Sequence, residues 1–138
     1  MRNEIIRVTE PDMECLRKLL KAEKRFDKSG RDDLHNLEAK LDQSQLIAQR
    51  EVPKEVITLN SKVRLTDLST GEEMSYTLVL PNNADIDQHK ISILAPIGTA
   101  MLGYSVGDIF EWKVPGGFRR FEVKEILHQP EAFGDHQH

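Results

Sequence analysis

Apolar positions along this chain follow two different periods. Between residues 9 and 50 they recur at helical spacing. Met13, Leu16, Leu19 and Leu20 fall at i, i+3, i+6 and i+7, on one stripe. Thr9, followed by Pro11 and Asp12, reads as a helix start: a hydroxyl cap, a proline whose missing N–H does no harm, and an acid in the first turn. The stretch KRFDKSGRDD (24–33) breaks the stripe, and Ser29-Gly30 marks a turn. Leu34, Leu37, Leu41, Ser44 and Ala48 then alternate spacings of three and four. This predicts a second helix that Asp32 or Asp33 caps and Pro53 stops, with Val52 pushed toward an extended conformation. Two amphipathic helices with a short link predict an antiparallel hairpin. Helices of about fifteen residues are roughly 22 Å long. Ser44 and Ala48 thin the seam, so the hairpin is expected to lean on the rest of the chain.

From residue 55 the period becomes two. In the stretch 56–68, Val63 and Leu65 share a face opposite Lys62, Arg64 and Thr66. STGEE (69–73) is a turn and MSYTLVL (74–80) a second strand. The polar loop PNNADIDQHK leads to a third strand, ISIL (91–94). PIGTAMLG is one short helix that Gly103 can end in a left-handed conformation. Phe110, Trp112 and Val114 alternate with Glu111 and Lys113, Pro-Gly-Gly makes a hairpin, and FRRFEVKEIL is the last long strand. The polar tail from Gln129 onward is expected to be loosely held. The expected class is α+β: a hairpin over residues 1–52, then a small antiparallel sheet with one short helix over 53–138.

Charge narrows the function more than it does the fold. Residues 1–52 hold 11 Lys/Arg against 11 Asp/Glu, whereas residues 53–138 hold 8 against 12, so the whole net charge of −4 falls on the second part. Neither part has the clustered positive charge of a phosphate-binding surface, which disfavours autonomous nucleic-acid binding and favours a protein partner. The 138 residues suit one ordinary domain, or a small one with an appendage. No apolar run reaches membrane-spanning length, the start MRNEIIRVTE lacks a secretory pattern, and the single Cys15 cannot form an internal disulfide. A cytoplasmic monomer is expected.

Particular residues then carry a resemblance. Ile91-Ser92-Ile93 followed by Pro96, then Ala100, Leu102-Gly103, Gly107-Asp108, Pro115-Gly116-Gly117 and Phe121-Glu122-Val123 resemble, in order and spacing, the GreA/GreB family of bacterial transcription factors. The match covers most of residues 55–128. LNSKVRL, LAPIGTAMLGYSVGD, VPGG, QPEAFGD and LEAKLDQSQ are similar to a short-hairpin branch of that family. The resemblance implies an N-terminal antiparallel coiled coil and a C-terminal FKBP-like domain. It implies that the C-terminal domain docks on RNA polymerase at the rim of the secondary channel, through Leu94, Ala95, Pro96, Ile97 and Met101 here. In the cleavage factors the coiled coil enters the channel, and two tip acids help hold the second Mg²⁺ that activates water against backtracked RNA. Those factors often carry Asp-Ser-Pro where this chain has Leu94-Ala95-Pro96, which implies a more apolar footprint. Core packing is the competing role for Ile93, Leu94, Ile97 and Met101.

At the hairpin tip the candidate acids are Asp27, Asp32 and Asp33, interleaved with Lys24, Arg25, Lys28 and Arg31. They could serve a metal, or they could be turn and capping residues. The short hairpin would leave them well short of a catalytic centre inside the channel. The expected protein is therefore a regulator, not an enzyme, that needs no cofactor or metal of its own. It binds bacterial RNA polymerase and competes with Gre factors without stimulating cleavage. The alternatives are an active cleavage factor and an FKBP-like prolyl isomerase or chaperone. An isomerase needs an aromatic-lined pocket, whereas Phe110, Trp112 and Phe121 are expected in the core. His35, His89 and His128 show no metal-site spacing.

Overall fold

The computed structural model describes residues 6–26, 32–48, 50 and 55–129. A short strand β1 (Arg7–Thr9) leads into helix α1 (Glu10–Phe26), and α2 (Asp32–Gln43) follows. Thr9 is the expected cap: its Oγ1 accepts the Asp12 N–H at 3.2 Å. Leu16 and Leu20 on α1 face Leu34, Leu37 and Leu41 on α2, and all five are buried. The helices run antiparallel. Arg17 meets Asp42 at 2.9 Å, whereas Lys24, further along α1, meets Glu38 at 2.7 Å. These exposed pairs are each worth about 0.2–1 kcal/mol, so the leucine seam does most of the holding.

The second helix ends sooner than its spacing predicts. The Ser44 N–H and hydroxyl both donate to the Leu41 carbonyl, at 3.2 and 2.7 Å. A serine that satisfies this carbonyl locally offers the chain an exit from the helix. Residues Gln45–Ile47 then form strand β2, parallel to β1, with Arg7 opposite Gln45 and Thr9 opposite Ile47. Ser44 and Ala48 therefore do not extend the seam, and Pro53 lies outside the described residues.

The second part is a five-stranded sheet in the order β5-β4-β3-β7-β6, formed by β3 (Lys62–Asp67), β4 (Glu73–Val79), β5 (Lys90–Ser92), β6 (Ile109–Val114) and β7 (Gly117–His128). The expected antiparallel sheet is in fact mixed, because β5 pairs parallel with β4, Thr77 beside Lys90 and Val79 beside Ser92. The loop between them makes this possible. Two 3-10 turns, Pro81–Asn83 and Ile86–Gln88, carry the chain back to the start of its neighbour, where the Thr77 N–H donates to the His89 carbonyl at 2.9 Å. Helix α3 (Pro96–Met101) begins with proline in its first turn. Gly98 is obligatory there, since a Cβ would collide with the Ser92 carbonyl oxygen. The last described residue, Gln129, departs from the expected loose tail: it is fully buried and donates Nε2 to the Val56 carbonyl at 2.7 Å.

Hairpin and sheet share one apolar cluster, from Leu16 and Leu37 through Ile57 to Phe121 and Val123. Polar ties reinforce it. The Leu59 N–H donates to Asp12 Oδ2 at 3.0 Å, and the Arg7 N–H donates to the Gly103 carbonyl at 3.1 Å. Lys40 Nζ donates to the Ala100 carbonyl at 2.6 Å and lies over the Tyr104 ring. Among the described residues, no helix is long and apolar enough to cross a membrane.

Candidate partner-docking site

The turn that opens α3 is locally determined. The Ser92 side chain accepts the Leu94 N–H at 3.0 Å, and the Ser92 carbonyl accepts the Ala95 N–H at the same distance. Thr99 Oγ1 reaches back to the Ile93 carbonyl at 2.6 Å. These bonds leave Pro96 exposed at the start of the helix, while Leu94 and Ala95 are half-buried and pack one side against the core. Ile97 and Met101 turn the other way, into the core, at 8% and 0% exposure. The five residues carried over for docking thus divide into an accessible group, Leu94, Ala95 and Pro96, and an inner pair beneath it.

The N-terminal turn of α2 faces the same place. Asp32, Asp33 and Asn36 border a cavity of about 630 Å³ with Leu94, Pro96, Thr99, Ala100, Glu111, Trp112 and Pro115. That volume is within the range of ligand pockets. Asp33 Oδ1 also accepts the adjacent Leu34 N–H at 2.8 Å, and both acids lie in the first turn of α2, where a helix dipole favours negative charge. Asp27 lies outside the described residues. Among the described residues no group of three or more His, Cys, Asp or Glu side chains is placed to hold a metal ion.

Glu111, Trp112 and Pro115 were not among the candidate residues read from sequence. Among the described residues β6 pairs with β7 alone, and the cavity borders both Glu111 and Trp112, successive residues of this edge strand. Glu111 pairs with Arg120 at 3.2 Å. Trp112 is half-buried and packs its ring 5.8 Å from that of Phe121, and its buried Nε1 has no hydrogen-bond partner among the described residues. Phe110 and Phe121 are core residues at 2% exposure, which leaves Trp112 as the only aromatic among the described residues of the cavity wall.

A mixed sheet carrying a short proline-led helix, with a helical hairpin packed beside it, matches a known group. Residues 52–128 match the family model described as "Transcription elongation factor, GreA/GreB, C-term", and the chain belongs to that family. It is 43% identical over 101 residues to the regulator of nucleoside diphosphate kinase of Escherichia coli K12, covering 72% of this chain and 74% of that protein. Transcription elongation factor GreA of Clostridium botulinum (strain Eklund 17B) is 37% identical over 90 residues, 65% of this chain but 56% of its own length. In three dimensions the chain superimposes on a prokaryotic transcription elongation factor GreA/GreB from Nitrosomonas europaea with a TM-score of 0.73 at 37% identity. That match covers 89% of this chain and 99% of the other.

Proposed function

We propose that this chain is a cytoplasmic, non-enzymatic transcription regulator. In this reading it docks as a monomer on bacterial RNA polymerase at the rim of the secondary channel and competes there with longer Gre factors without stimulating RNA cleavage. Residues 53–138 form the FKBP-like docking lobe and residues 1–52 the short coiled-coil lobe. Leu94, Ala95 and Pro96 make the contact, with Ile97 and Met101 holding them from beneath. No cofactor and no direct sequence-specific nucleic-acid contact is required.

The observation that carries this reading is the position of the tip acids. Asp32 and Asp33 border one cavity with Leu94 and Pro96. In the cleavage arrangement that the family resemblance implies, the docking face stays at the rim while the acids work deep in the channel. Carboxylates beside their own docking face cannot also stand tens of ångströms from it. The twelve residues of α2 extend only about 18 Å.

The test is capture of core polymerase by the intact protein and by Pro96→Arg, with and without a long Gre factor, alongside cleavage in stalled elongation complexes. Binding that Pro96→Arg abolishes and the Gre factor displaces, with an unchanged cleavage rate, is expected. Faster cleavage would reinstate the active-factor reading with Asp27, Asp32 and Asp33 in the metal role. Failure to bind polymerase in either form would end the docking reading.

A further inference from the structure

The walls of the cavity differ in kind. Leu94, Pro96, Ala100, Trp112 and Pro115 supply apolar surface, and Asp32, Asp33 and Glu111 supply carboxylates. No Lys, Arg or His is among its described lining residues. Such a space repels phosphates and other anions. Its donors do not form a metal-binding set, and its greasy wall suits a hydrated divalent ion poorly. It suits a cation on an apolar stem, which can lay its methylenes on the wall and keep its charge among the carboxylates.

We propose that the cavity is a socket for an arginine or lysine side chain of a protein partner, borne on a segment with an adjacent apolar residue. The cation sets against Asp32 and Asp33, with Glu111, itself paired with Arg120 at 3.2 Å, on the opposite rim. The apolar neighbour covers Leu94, Pro96 and Ala100, beside the half-buried Trp112 ring. This deepens the polymerase reading, on which it rests for the partner's identity: the acids at the end of the hairpin serve recognition in place of metal chemistry.

Trp112 is the sole tryptophan, so its emission and its single indole N–H resonance report on the cavity directly. The full chain is titrated with acetyl-leucyl-arginine amide. The controls are the uncharged isostere acetyl-leucyl-citrulline amide and acetyl-arginine amide, which lacks the apolar neighbour. The arginine dipeptide is expected to change the emission and to move the indole N–H resonance, both saturably. Asp32→Asn and Asp33→Asn are expected to weaken it about three- to tenfold, as is replacement by citrulline. Glu111→Gln, away from the helix terminus, serves as the second variant should either Asn variant melt early. The proposal is overturned by the absence of a saturable response up to about 10 mM, by equal binding of the citrulline peptide, or by unchanged affinity in the Asn and Gln variants. Equal binding of acetyl-arginine amide would remove the apolar neighbour, and with it the protein segment as occupant. No polymerase is present in these titrations. Its failure to bind the wild-type chain would therefore remove the polymerase reading while leaving the socket to stand or fall by itself.

Discussion

Lys40 Nζ lies 4.4 Å from the centre of the Tyr104 ring. The same ammonium donates to the Ala100 carbonyl at 2.6 Å, and Tyr104 stacks on Phe110 with ring centres 5.6 Å apart. One side chain of α2 thus fastens the hairpin both to the end of α3 and to the aromatic core of the sheet. The ring face and the carbonyl favour the charged amine, by about 0.5–2 kcal/mol for the ring. Burial disfavours it more, and pulls the Lys40 pKa down to about 7.

A lowered folded-state pKa means that the unfolded chain binds more protons than the folded one between about 7 and the ordinary value of 10.5. Stability therefore rises with pH across that window, and the burial penalty is fully present below it. In urea titrations the unfolding free energy of the native chain is expected to climb more steeply from pH 7 to 10 than that of Lys40→Met. Parallel pH profiles for the two proteins would contradict this assignment.

Cys15 offers a second, local test. Burial, aided by the nearby Asp12 charge, pushes its thiol pKa upward. Because the thiolate is the reactive form, folded protein at pH 8 is expected to react with an aromatic disulfide reagent more slowly than the urea-unfolded chain. With one cysteine in the sequence, the rate reports directly on how firmly α1 stays packed.

Asp12 joins the start of α1 to the segment before β3, through Oδ2 and the buried Leu59 N–H. Removing the carboxylate in Asp12→Ala leaves that N–H without its acceptor. A loss of about 1–3 kcal/mol is expected in chemical denaturation. Asp32→Ala, at an exposed position, is expected to stay within about 1 kcal/mol of native, the order of a helix-dipole contribution.

Gly98→Ala tests the α3 turn. The added methyl meets the Ser92 carbonyl, with Leu78 Cδ1 a further 3.2 Å neighbour. Overpacking of this kind costs about 1–3 kcal/mol. The carbonyl it displaces also holds Ala95, so polymerase capture should weaken together with the urea midpoint.

Much of this molecule was legible locally. The helical spacing of Leu16 and Leu20 and of Leu34, Leu37 and Leu41 found the seam, because backbone geometry alone puts such residues on one face. The period of two in Val63 and Leu65 likewise found the buried face of β3. Pro115-Gly116-Gly117 announced its turn, where Gly116 has φ of 91°. In contrast, Gln45–Ile47 has no periodicity that distinguishes a strand from a continued helix; its state depends on a partner 38 residues earlier in the chain, Arg7 beside Gln45. The parallel placement of β5 was hidden for the same reason, since a loop's polarity does not reveal where its ends meet. The cavity was divided in the sequence among three separate stretches, 32–36, 94–100 and 111–115. Sequence alone determined which faces must be buried, because the spacing of side chains is a property of each element by itself. Tertiary structure decided which faces meet, and so brought Asp32 and Asp33 beside Pro96 and Trp112, because juxtaposition depends on the packing of the whole core.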